Sequence, residues 1–331
     1  MLPITNQYGL FEVRFESIGG LGANIAGKML AEAGLKYLNL NVASFSSYGS
    51  EKTGTPIKTF VRFSDPEVPI KINSPVENPH LLVIFHENLI NALPVTLGCN
   101  ENTIIIVNTK KSPSEIQDML KIPTATIGTV DAIGISLEEK VKFNGILLGA
   151  ISKAIGFIKP EHIKGIFEDI IGKKYPAVLE ANFRAIERGY NEVKIEKVKE
   201  KKEYSFKPFA KPSNLIGYEN QIIGGLVVNP GNSFSKDLSA SRNGLIPVFN
   251  SQKCTSCGMC DIVCPDLCMV FIEENGQMIM KGIDYQYCKG CLKCVQICPV
   301  KALTEGVEAE YDVKSMTVKL FTEKDTAQNH R

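Results

Sequence analysis

The chain has 331 residues, 44% hydrophobic and 22% charged, with 37 Lys and Arg against 36 Asp and Glu for a net charge of +1. That length suits about one to three domains, and that composition excludes a wholly disordered chain. The balanced charge excludes an electrostatic nucleic-acid or anionic-membrane binder. The best apolar run, Gly145 to Ile158, is too short to span a bilayer and holds Lys153.

The start, Met1-Leu2-Pro3-Ile4-Thr5, has neither the charged nor the apolar segment of a secretory leader. Phe11-Glu12-Val13-Arg14-Phe15 alternates as a strand does. Gly19-Gly20-Leu21-Gly22 then makes a turn, and Ala23 to Ala33 reads as a helix stopped by Gly34. A glycine turn between strand and helix favours an anion, because helix N-terminal N–H groups face outward there. Gly19, Gly20 and Gly22 are therefore candidate binding residues, against the plainer reading of a tight packing turn. The dinucleotide fingerprint fails, with Ile25 where Gly or Ala is needed and no acid in Leu38-Asn39-Leu40-Asn41.

Leu81 to Phe85 and Thr103 to Val107 are unbroken apolar runs, which suit strands buried on both faces of a parallel sheet. His86 and Glu87 follow the first of these and read as a surface pair capping the strand end. Helical patterns over 113–120, 143–157, 160–171 and 176–189 complete an α/β layered domain over residues 1–193. No paired-carboxylate, Ser–His–Asp or Cys–His set stands out in it.

Residues 194–249 read as a linker and irregular lead-in. Glu192 to Glu203 is dense in Lys and Glu, Pro208 and Pro212 follow, and Gly224-Gly225 and Asn229-Pro230-Gly231-Asn232 break any regular pattern. Residues 250–315 hold eight of the ten cysteines in two runs of one spacing. The first is Cys254-x2-Cys257-x2-Cys260-x3-Cys264-Pro265 and the second Cys288-x2-Cys291-x2-Cys294-x3-Cys298-Pro299. This is the two-cluster [4Fe–4S] pattern of bacterial-type ferredoxins, in which each fourth cysteine ligates the other cluster. Cluster one is expected on Cys254, Cys257, Cys260 and Cys298, and cluster two on Cys288, Cys291, Cys294 and Cys264.

Zinc sites present two separated pairs, or Cys with His, and no His lies between Cys254 and Cys298. Thiolates free for iron imply a reducing cytoplasm. Cys99 and Cys268 stand outside the runs and read as buried structural thiols. Ile262, Val263, Val270, Ile272, Val295 and Ile297 are expected to pack around the clusters. Asn275-Gly276 between apolar runs 269–272 and 278–280 signals a hairpin. Residues 316–331 read as a polar tail.

Taken together, these stretches resemble a fused gamma–delta subunit of the 2-oxoacid:ferredoxin oxidoreductase family. The opening strand with Gly19-Gly20-Leu21-Gly22 looks like the family's glycine loop. Phe45 to Pro56, around Tyr48-Gly49-Ser50-Glu51, is similar to its tyrosine–glycine–glutamate loop. Phe143 to Ala150 looks like its Asn-containing helix, Asn182 to Tyr190 like its closing segment, and Asp284 to Cys291 matches the delta part.

The resemblance implies a layered, mostly parallel α/β domain followed by an α+β two-cluster ferredoxin domain. It implies single-electron relay to soluble ferredoxin from alpha- and beta-type catalytic subunits that hold thiamine diphosphate and Mg2+. It also implies that the gamma domain helps close over coenzyme A. Ile18, Leu21, Lys52 and Thr53 stand where the family tends to hold polar or arginine groups, and arginine forks are natural phosphate clamps. That departure points to weak coenzyme A dependence, as in the family's oxalate-oxidising branch. An iron–sulfur subunit of a hydrogenase or carbon monoxide system, or a stand-alone NAD(P)-linked reductase, are the competing readings.

Overall fold

The computed structural model describes residues 2–48, 54–172, 175–210, 221, 223–224 and 236–321, and the chain divides into two units at Phe209/Ala210. The first opens with β1 (Leu10–Ile18), α1 (Ala23–Leu38), β2 (Asn41–Tyr48) and β3 (Pro56–Ser64). It continues through β4 (Leu81–Ile84), α2 (Leu89–Ala92), β5 (Ile104–Asn108), α3 (Pro113–Leu120), β6 (Thr126–Val130) and α4 (Ala132–Glu139). It ends with α5 (Asn144–Ile155), α6 (Pro160–Phe167), α7 (Leu179–Glu192) and β7 (Lys194–Lys197).

The strands form one sheet in the order β2-β3-β1-β4-β5-β6-β7. Its core, β1, β4, β5 and β6, is parallel, with Val13 opposite Leu81 and Leu81 opposite Ile104. β2 and β3 form an antiparallel edge beside β1, and β7 another beside β6. Leu81 to Ile84 and Ile105 to Val107 are fully buried. Continuous apolar runs survive only where both sheet faces are covered.

Three departures from the sequence pattern have physical reasons. α1 runs through Gly34 to Leu38, because a Cβ at Gly34 would stand 2.6 Å from the Phe63 ring. Gly34 is there for close helix–sheet approach, not to stop the helix. β7 lies where a linker was expected. Its Ile195 packs near Gly128 while Lys194, Glu196 and Lys197 stay outward, as charges on an edge strand do. β1 is buried along its whole length, charged residues included.

The polar face of β1 meets loops rather than water. Arg14 donates through Nη1 to the carbonyls of Val76 and Glu77 and through Nη2 to those of Val95 and Leu97. Its Nε lies 3.1 Å from Glu16, which Lys58 approaches at 3.3 Å. Burial pushes the Glu16 carboxyl up, against the pull of Arg14 and Lys58. Arg62 pairs with Glu12 at 2.7 Å.

His80 Nδ1 accepts the Glu12 backbone N–H at 3.0 Å, so the neutral ring is the one that fits. Burial holds its pKa below 6.5. The folded state therefore takes up this proton less readily than the unfolded chain, and stability falls as pH drops below about 6.5. Urea midpoints measured at pH 7.5 and 5.5 should show the loss, and replacing His80 with Gln should flatten that slope.

α5 and α7 cross at van der Waals distance. A Cβ at Gly149 would stand 2.1 Å from the Ile186 carbonyl, and one at Gly189 2.0 Å from that of Ile146. Gly149→Ala should cost about 1–3 kcal/mol of stability, since overpacking forces both backbones apart. An unchanged urea midpoint in that variant would contradict the close crossing.

The second unit holds β8 (Leu245–Phe249), α8 (Met259–Ile262), β9 (Met269–Glu274), β10 (Gln277–Ile283), α9 (Lys293–Ile297), β11 (Leu303–Val307) and α10 (Val313–Met316). β9 and β10 form the hairpin about Asn275-Gly276, and β8 pairs with β11. Residues 317–321 are held down: Val318 N–H bonds the Ile283 carbonyl and Leu320 N–H the buried Asp284 carboxylate. Thr322 to Arg331 lie outside the described residues, as do Gly225 and Asn229 to Asn232. Among the described residues no helix is long and apolar enough to cross a membrane.

Candidate iron–sulfur centre

Both cysteine runs take the same backbone path. Ser256 and Gly290, Gly258 and Leu292, and Leu267 and Lys301 are equivalent positions of the two runs, and all six have positive φ between 49° and 78°. Left-handed residues curl the chain so that side chains and N–H groups turn inward, as in an anion-binding nest. The repeat in spacing is thus a repeat in conformation.

One cavity is lined by Cys254, Cys257, Cys260 and Cys298 together with Phe249, Phe271, Met280 and Ala302. The three leading cysteines of the first run share it with the last cysteine of the second. The chain donates to its sulfurs from Ser256 N–H to Cys254 Sγ at 3.3 Å and from Ala302 N–H to Cys298 Sγ at 3.2 Å. Cys260 enters from α8 and is buried, which pushes its thiol up to about 11.

The other four thiols gather in the same crossed way. Cys264 and Cys291 are charge neighbours of Cys294, which sits on α9 beside Cys288. Burial pushes Cys294 up to about 12. Iron binding at such buried thiols must release their protons. Cys268 joins this group: its Sγ is 3.5 Å from Cys264 Sγ, and Cys288 is its neighbour. It is buried, as expected, and pressed against two expected ligands. Among the described residues no three His, Cys, Asp or Glu side chains close on a single-ion site.

Arg242 escaped the sequence reading. It is buried, and its Nε donates to the Cys288 carbonyl at 2.9 Å. Its other nitrogens bond the Tyr285 carbonyl and pair with Glu308. It lies far upstream of the cysteines at no fixed spacing, so no local pattern marks it. Tyr285 in turn donates its hydroxyl to the Pro247 carbonyl at 2.5 Å. The expected apolar jacket is only partly present. Val270 is buried and Val295 packs on the core, but Ile262, Ile272 and Ile297 are exposed. They sit on the outer faces of their short helices and strand.

In the first unit, Gly20 (φ 107°) and Gly22 (φ 83°) shape the turn before α1, and Gly22 leaves the helix N-terminus without a side-chain cap. Across that loop Gly54 N–H donates to the Gly19 carbonyl at 3.0 Å and Gly19 N–H to the Thr55 carbonyl at 2.9 Å. Ile18 and Leu21 are buried, so both are packing residues. Lys52 and Thr53 lie outside the described residues, as do Gly49, Ser50 and Glu51 of the tyrosine–glycine–glutamate loop. His86 is buried rather than at the surface, because the chain folds over it and its Nδ1 accepts the Asn88 N–H at 3.2 Å. Glu87 pairs with Lys111. Cys99 is buried and its thiol is pushed up to about 11.

Comparisons with known proteins follow the same division. Residues 12–192 match the model of the pyruvate ferredoxin/flavodoxin oxidoreductase family, and residues 243–302 that of the 4Fe-4S dicluster domain. Pyruvate synthase subunit PorC of Thermotoga maritima is 37% identical over 196 residues, 58% of this chain and 98% of the relative. Subunit PorD of the same organism is 38% identical over 98 residues, 30% of this chain and 94% of the relative. The gamma subunit of the NADH-dependent phenylglyoxylate dehydrogenase of Aromatoleum evansii is 32% identical over 56% of this chain and 95% of its own. Two separate Thermotoga subunits thus match successive parts of one polypeptide here. The chain belongs to the pyruvate ferredoxin/flavodoxin oxidoreductase family, as a gamma-type unit continued into a 4Fe-4S dicluster domain.

Proposed function

We propose that this chain is the gamma–delta electron-transfer subunit of a thiamine diphosphate-dependent 2-oxoacid:ferredoxin oxidoreductase in the cytoplasm. Cys254, Cys257, Cys260 and Cys298 would hold one [4Fe–4S] cluster, and Cys288, Cys291, Cys294 and Cys264 the second. Such clusters supply one-electron carriers. The chain itself supplies four thiolates at each site, N–H donors from Ser256 and Ala302 at the first, and a buried apolar core beside them. The observation that carries this reading is the single cavity shared by Cys298 and the first run.

Decarboxylation belongs to alpha- and beta-type partners carrying thiamine diphosphate and Mg2+, with soluble ferredoxin as the final acceptor. Gly19, Gly20 and Gly22 present the α1 N-terminus, a favourable place for an anionic group such as a phosphate of coenzyme A. The substrate is a pyruvate-like 2-oxoacid. One observation supports a second reading, oxalate oxidation without coenzyme A: buried Ile18 and Leu21 bring no cation to that loop.

The test is purification with its natural partners, identification of bound thiamine diphosphate, and electron-transfer assays with pyruvate, other 2-oxoacids and oxalate, with and without coenzyme A. A 2-oxoacid activity that saturates with coenzyme A would support the first reading and overturn the weak dependence expected from Ile18 and Leu21. Oxalate turnover without it would favour the second reading. The isolated, iron-loaded chain should turn over none of these acids, and any activity there would refute the division of labour.

A further inference from the structure

Position 268 occupies the same place after the first cysteine run as position 302 does after the second. Cys264 and Cys298 each precede it by four residues and are each followed by Pro. In the second run the backbone N–H at this position, Ala302, donates to Cys298 Sγ at 3.2 Å, and in the first run the Cys268 Sγ lies 3.5 Å from Cys264 Sγ. Both residues are buried. The difference lies in the side chain: a methyl group lines the cavity of Cys254, Cys257, Cys260 and Cys298, and a thiol stands beside Cys264 and Cys288. The Cys268 carbonyl accepts the Asp284 N–H at 2.9 Å, which fixes the backbone that carries this thiol.

We propose that the Cys268 thiol is a positioning residue for cluster two, donating an S–H···S hydrogen bond to its ligand sulfurs and raising its reduction potential above that of cluster one. The inference rests on the ligand assignment proposed above. A ligating thiolate accepts hydrogen bonds and cannot donate them, whereas a buried, non-ligating thiol keeps its proton and can donate. Reduction adds negative charge to the cluster and its sulfurs, so a donor there favours the reduced state. Cluster one has no such side chain at its equivalent position. Electrons arriving at the module would therefore settle on cluster two.

The test is an EPR-monitored redox titration of the full chain as wild type, Cys268→Ala and Cys268→Ser. In the alanine variant one of the two midpoint potentials should move to more negative values, with the reduction equilibrium changing about three- to tenfold, where tenfold is 59 mV for one electron. The other potential should stay. Serine, whose hydroxyl also donates, should recover much of the shift. Pulsed EPR of the wild type in H2O against D2O should show an exchangeable proton coupled to the cluster that shifts, and the alanine variant should lack it. Ala302→Cys should move the other potential upward.

Unmoved potentials in Cys268→Ala, or no exchangeable coupling attributable to this position in the wild type, would overturn the inference. So would loss of one cluster's iron from both Cys268 variants, which would make Cys268 a ligand. Wild-type iron for fewer than two clusters would instead overturn the ligand assignment, and this inference with it.

Discussion

Changing Cys264 to Ala should remove iron from the site formed by Cys288, Cys291 and Cys294 and leave the site formed by Cys254, Cys257 and Cys260 filled. Cys264 belongs to the first run by sequence but stands with the second by geometry, touching Cys268 and lying near Cys294. Cys298 does the converse and lines the first run's cavity. About half the iron should be lost, as one of two [4Fe–4S] clusters. Iron analysis gives the amount, and EPR of the reduced protein gives the surviving cluster. If the surviving signal were that of the Cys288 site, the crossed assignment would be wrong.

Arg14→Ala should destabilise the protein by about 3–5 kcal/mol, because removing one member of a buried ion pair strands the other. Here Glu16 keeps only the half-exposed Lys58, and four carbonyls lose their donor as well. Lysine should not rescue, since a point charge cannot reach carbonyls on two separate loops as the guanidinium fork does. Arg14→Met combined with Glu16→Gln should recover part of the loss, because no buried charge is then left without its partner. Urea unfolding of the full chain measures all three. A cost below about 1 kcal/mol for the alanine change would mean that the network carries little stability.

The iron centre was legible because cluster chemistry fixes the spacing of its ligands locally, within runs of a few residues. The parallel core was legible for a similar reason: Leu81 to Phe85 and Thr103 to Val107 are apolar on both faces. What could not be read depends on distant partners. The alternation of β1 implied a wet face, yet Glu12, Arg14 and Glu16 are buried beneath loops that contribute carbonyls from residues 76–97. Arg242 likewise meets Cys288 from 46 residues away, a distance no motif spans. Gly34 read as a stop because a glycine required by a neighbouring ring looks the same in sequence as one that ends a helix. The antiparallel β2, with three serines, carries little hydrophobic signal and joins the sheet through β3.

The second cysteine of each run, Cys257 and Cys291, is the exposed one of its set, while Cys260, Cys288 and Cys294 are buried. The near-twofold repeat therefore gives the module two doorways of the same construction, one for each half. A part with two matching doorways has no built-in front or back. Traffic through it runs whichever way its neighbours push, and only the furnishings that break the symmetry, Arg242 and Cys268 on one side and Ala302 on the other, give it a slope.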